Sequence, residues 1–77
     1  MEYSMIINNE KSDYKYVNGI KTWSEVTDYL RNKLSTSVIG VHIYKYSSNS
    51  HLLGEKYVSM CNLVEVATSK SDKHILI

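Results

Sequence analysis

Apolar residues between Trp23 and Leu34 recur at a helical period. Val26, Leu30 and Leu34 are spaced four apart, and Trp23 stands three before Val26, so all share one stripe. Thr22-Trp23-Ser24-Glu25 supplies a capping box. The Thr22 hydroxyl can accept from the Glu25 amide while Glu25 reaches back to the Thr22 amide. Glu25 and Asp28 lie early and Arg31 and Lys33 late, as the helix dipole favours. Ser35-Thr36-Ser37 stops the run. The pattern predicts an amphipathic helix from about Trp23 to Leu34.

Elsewhere the alternation is that of strands. Tyr3 to Asn8 and Tyr14 to Val17 read as strands around a polar turn, Asn9 to Asp13. Asn18-Gly19 tolerates positive φ and reads as a turn sending the chain into the helix. Val38 to Tyr46 is the clearest strand, with Ile39, Val41 and Ile43 on one face and His42, Tyr44 and Tyr46 on the other. Ser47-Ser48-Asn49-Ser50 is a polar turn. In Lys56 to Val66 both periods compete. Val58, Met60, Val64 and Val66 alternate against Tyr57, Cys61 and Leu63, and a helix fits as well. Leu63 to Thr68 and Lys73 to Ile77, around Ser69-Lys70-Ser71-Asp72, have the look of a terminal hairpin. The expected architecture is α+β: one amphipathic helix on an antiparallel sheet of about four to five strands, in the order ββαββ.

Length makes this one domain, residues 1–77, near the lower limit for folding unaided. A second copy could complete the core, so homodimerisation enters as an expectation, as does edge-to-edge strand pairing, because the chain has no proline to guard an edge. One cysteine cannot form an internal disulfide, and no ligand cluster suggests a metal or cofactor. The opening Met1-Glu2-Tyr3-Ser4-Met5 lacks a signal-peptide pattern, and no apolar run approaches membrane-span length, which together point to the cytoplasm. A net charge of +1, evenly spread, excludes an acidic DNA mimic and withholds the basic footprint of a non-specific nucleic-acid binder.

Catalytic chemistry finds little support. His42, His51 and His74 have no spacing that pairs two imidazoles, and Cys61, among Met60, Leu63 and Val64, reads as a buried or half-buried thiol. Gly19, Gly40 and Gly54 do not form a phosphate loop; Gly40 reads as a bulge or as a close approach to the helix beneath Trp23. The tyrosines carry more. There are seven, with no Phe. If the helix covers the Ile39/Val41/Ile43 face, His42, Tyr44 and Tyr46 face solvent, joined by His51 and Tyr57 as a binding surface. Such rings anchor protein interfaces or stack bases. The plainer alternative is that tyrosine fills core positions where other chains use Phe. The apolar end Ile75-Leu76-Ile77 must complete a sheet or meet a partner. The expectation is a non-enzymatic binding protein with a protein partner. Small size and an AT-rich coding bias suggest an inhibitor or regulator from a phage or mobile element, of the anti-defence or anti-CRISPR kind. The alternatives are a small RNA-binding domain or ribonuclease toxin-like protein with His42, His51, Tyr44 and Tyr46 as its working surface, and a structural homo-oligomer.

Overall fold

A computed structural model describes residues 1–9, 13–34 and 36–76. The elements run β1 (Glu2–Asn9), β2 (Tyr14–Ile20), α1 (Trp23–Arg31), β3 (Val38–Tyr46), β4 (Leu52–Ser59), a 3₁₀ turn (Met60–Asn62) and α2 (Leu63–Ala67). Residues 10–12 of the expected first turn, Ser35 of the helix stop and the terminal Ile77 lie outside the described residues. The four strands form one antiparallel sheet in the order β2-β1-β3-β4. This is the α+β architecture that the alternation predicts. The helices cover one face of it.

Register sorts the side chains. Lys15, Ile7, Val41 and Val58 form one cross-strand row, and Val17, Met5, Ile43 and Lys56 the next. These rows face the helices, and Met5, Val41 and Ile43 are fully buried beneath Val26 and Leu30 of α1 and Leu63 of α2. Burying each such side chain contributes about 1.5–3 kcal/mol. The cap on α1 forms as its sequence suggests: Thr22 Oγ1 accepts from the Glu25 amide at 3.2 Å. The Glu25 carboxylate, however, takes the Thr22 hydroxyl at 3.2 Å.

Other expectations need correction, each for a physical reason. α1 ends at Arg31, because the chain tightens into i→i+3 bonds from Lys33 to Leu30 and from Leu34 to Arg31. That tightening carries Leu34 off the apolar stripe and leaves it 40% exposed. Asn18-Gly19 is a β-bulge inside β2, not a turn out of it. Tyr3 pairs Ile20 while Met5 pairs Val17, and Gly19 supplies the φ of +73° that the extra residue demands. A second bulge opposite Asn8 and Asn9 shifts the phase of β3, so Val38 takes the core position and Ile39 is exposed. The terminal hairpin does not form. Leu63, Val66 and Ala67, at helical spacing, instead bury one side of α2, and residues 72–75 make a turn.

The C-terminal segment is fastened by polar contacts. Arg31 Nη1 donates to the Ala67 carbonyl at 2.7 Å, and Trp23 Nε1 to Ser69 Oγ at 3.1 Å. Asp72 accepts from Tyr3 Oη and from Lys45 Nζ, both at 2.7 Å. Burial pushes the Asp72 carboxyl up, but the bonds from Lys45 and Tyr3 and the Lys45 charge outweigh it and hold the group below its usual range. The Tyr3 hydroxyl is driven well above its ordinary value, by desolvation first and then by its bond to Asp72 and that residue's charge. Ile75 and Leu76 are partly buried against the core but lie outside the sheet, so these residues do not complete it as expected.

Candidate functional site

The face of the sheet turned away from the helices is built from the other half of each alternation. Tyr16, Ile6, His42 and Tyr57 make its central row; Ser4, Tyr44 and Glu55 flank it on one side, and Tyr14, Asn8, Gly40 and Ser59 on the other. Beyond Tyr44, the shifted register places Glu2, Tyr46 and Leu52 together. Of the expected surface, His42, Tyr44, Tyr46 and Tyr57 therefore share this face. His51 is exposed in the β3–β4 turn, where its carbonyl accepts from the Ser47 amide at 2.8 Å and its amide donates to Ser47 Oγ at 3.2 Å.

The rings are ordered against one another. His42 stacks on Tyr44, with centroids 4.4 Å apart and planes 5° from parallel, and Tyr44 lies 6.3 Å from Tyr46 at 20°. Tyr57 meets His42 edge-on at 6.2 Å. Offset stacks and edge contacts of this kind hold aromatic side chains in place. Gly40 holds Tyr57 too: a Cβ there would overlap the Tyr57 hydroxyl and lie 2.9 Å from the Val58 carbonyl oxygen. The close approach inferred at Gly40 is real, and a bulge does adjoin it. Its neighbour is Tyr57 on the open face, however, not Trp23.

Glu55 completes the arrangement. His42 Nε2 lies 3.1 Å from Glu55 Oε1, and because a carboxylate only accepts, this bond puts the imidazole proton on Nε2. Desolvation, then the Glu55 charge and the neighbouring Tyr46 and Tyr16, raise the Tyr44 hydroxyl above its ordinary value. At one end the face dips into a cleft of about 530 Å³ between Tyr16, Asn18 and Tyr46, with Glu2 and Ser4 on its floor side and the β3–β4 turn as its far wall. An exposed Lys21–Glu2 ion pair of 2.9 Å bridges its rim.

Two features escape a reading of the sequence. Tyr14 and Tyr16 join the face because β2 pairs with β1, a register that the polar turn alone cannot supply. Glu55 reaches His42 only because β4 begins at Leu52, with Leu53 spent in a bulge. Among the described residues no three His, Cys, Asp or Glu side chains come together to hold a metal, and no helix is long and apolar enough to cross a membrane. Cys61 is exposed and not buried or half-buried as expected, because it falls in the 3₁₀ turn after β4; Ser59 Oγ lies 3.0 Å from its sulfur, and His74 lies apart in a smaller hollow between β4 and α2. Compared with known proteins, the chain matches no family model, no curated protein and no solved structure.

Proposed function

We propose that this protein is a non-enzymatic binding protein that docks another protein on the open face of its sheet. The observation that carries the reading is the composition of that face. Tyr14, Tyr16, His42, Tyr44, Tyr46 and Tyr57 stand on it, and no described strand position facing that way is Lys or Arg. Tyrosine gives large contact area at small entropic cost and is enriched at interface hot spots. A nucleic-acid surface would need cations for phosphates beside its stacking rings; among the described residues none stands at a strand position of this face, and Lys21 at the cleft rim is paired with Glu2.

The edges are poorer candidates. The outer strands carry Lys15 and Lys56 in helix-side rows, where strand addition would crowd a charge against apolar neighbours. A small domain whose elaborated surface is a docking face acts by occupying its target, as an inhibitor or regulator does. The abundance of Ser, Asn, Lys, Ile and Tyr, with no Phe or Pro, is a palette that AT-rich coding sequence tends to produce, and it favours a phage or mobile element as the setting and a host protein as the target.

Affinity capture tests this with the wild type, with Tyr44→Ala/Tyr57→Ala and with the off-face variant Ser24→Ala, followed by reconstitution with the purified partner. The face variant should bind about thirtyfold or more weakly, as loss of a hot spot does, while Ser24→Ala binds normally. Equal affinity of the face variant and the wild type defeats the proposal. So does turnover of RNA or another substrate by the purified protein.

A further inference from the structure

The open face also carries a sign. Its ionised groups at strand positions are carboxylates, Glu2 and Glu55, and both side chains are 46% exposed. Around them stand tyrosine rings, of which Tyr14, Tyr16 and Tyr57 are the most exposed, and the face of such a ring carries negative charge. The lysines of the strands lie elsewhere. Lys15 leans over the Tyr29 ring of α1, at 5.9 Å, and Lys45 is held by Asp72 on the helix side. Lys21 at the cleft rim is 69% exposed, so its bond to Glu2 is a weak surface pair that a competing cation can replace.

We infer that the surface recognised by this face is a cationic protein segment presenting arginine side chains; the inference rests on the docking function proposed above. A planar guanidinium can lie on a tyrosine ring while its N–H groups donate to a carboxylate; Tyr44 is already stacked between His42 and Tyr46, but Tyr57, 47% exposed and two residues along β4 from Glu55 on the same face, offers ring and carboxylate together. A lysine ammonium satisfies only the charge, so arginine is preferred. An acidic segment would meet Glu2 and Glu55 with, among the described residues, only Lys21 at the cleft rim to answer it.

The test is an amide-resolved NMR titration of the whole chain at low ionic strength with hexa-arginine, hexa-lysine, hexa-glutamate and hexathymidylate. Hexa-arginine should shift the amides of Tyr44, Glu55 and Tyr57, more tightly than hexa-lysine, and salt should weaken it. Glu55→Gln should lower the affinity about threefold, whereas Glu25→Gln on the opposite side of the molecule should leave it unchanged. The inference is overturned if hexa-arginine shifts nothing, if its shifts map to the helices, or if hexa-glutamate or hexathymidylate is the probe that moves the face. In those cases the capture experiment still decides separately whether the face binds a protein at all.

Discussion

Gly40 shows how a single residue ties fold to surface. Its missing side chain is the slot in which the Tyr57 ring lies, so the glycine fixes the direction of a residue on the open face of the sheet. Gly40→Ala should destabilise the protein by about 1–3 kcal/mol, measured by denaturant unfolding, because overpacking displaces neighbours. Adding Tyr57→Ala should recover only part of this loss, since the Val58 carbonyl at 2.9 Å is backbone and cannot swing away. A glycine inside a strand advertises a close approach in the sequence. Which face is approached depends on the partner strand, and that is why the sequence points to Trp23 where the structure places Tyr57. The exposed Ile39 is the same kind of case: its apolar character and parity both assign it to the core, and only the extra residue opposite Asn8 and Asn9 removes it.

At the scale of elements, legibility follows how local the cause is. The start of α1 is written in four consecutive residues, and Thr22→Ala should cost about 1 kcal/mol in thermal or chemical unfolding, with the fold retained. Strand β3 is equally plain, and its bounds are those that its β-branched and aromatic run predicts. The stretch after Lys56 is not, because its residues satisfy two periods at once. Val58 belongs to the strand, whereas Leu63, Val66 and Ala67 stand three and four apart and belong to a helix; the switch falls at the 3₁₀ turn between them. Those three residues held the helical signal, but they were outnumbered by a valine alternation running straight through the break. The open face proposed for docking is half legible for the same reason. Tyr44 and Tyr46 follow from one strand, whereas Tyr14, Tyr16 and Glu55 come from registers between strands.

For the whole molecule, the Tyr3–Asp72–Lys45 cluster joins the first strand, the third strand and the end of the chain. Asp72 titrates below its ordinary value of 3.8 in the folded state, so its contribution is present above about pH 4 and is lost as the pH falls through the folded value. Tyr3 is shifted upward from 10.0, so its contribution is present below pH 10 and is lost as the pH rises beyond it. Unfolding free energy plotted against pH should therefore show a plateau with a limb on each side. Asp72→Asn should lower the plateau by about 1–3 kcal/mol, because Lys45 loses its counter-charge, and should flatten the acid limb. An unchanged acid limb in that variant would assign the loss to other carboxylates.

The strand order has a consequence in time. Ile6 of β1 pairs both with Tyr16, close by in sequence, and with His42, far along the chain. A chain emerging from the ribosome can close the β1–β2 hairpin early. One flank of β1 then stays bare until the helix and the whole of β3 have followed, because a long loop must close before that pairing repays it. During this interval the Met5 and Ile7 side of the hairpin has no cover. Slowing synthesis between β2 and β3 should therefore lower the soluble yield more than the same pause placed after β4.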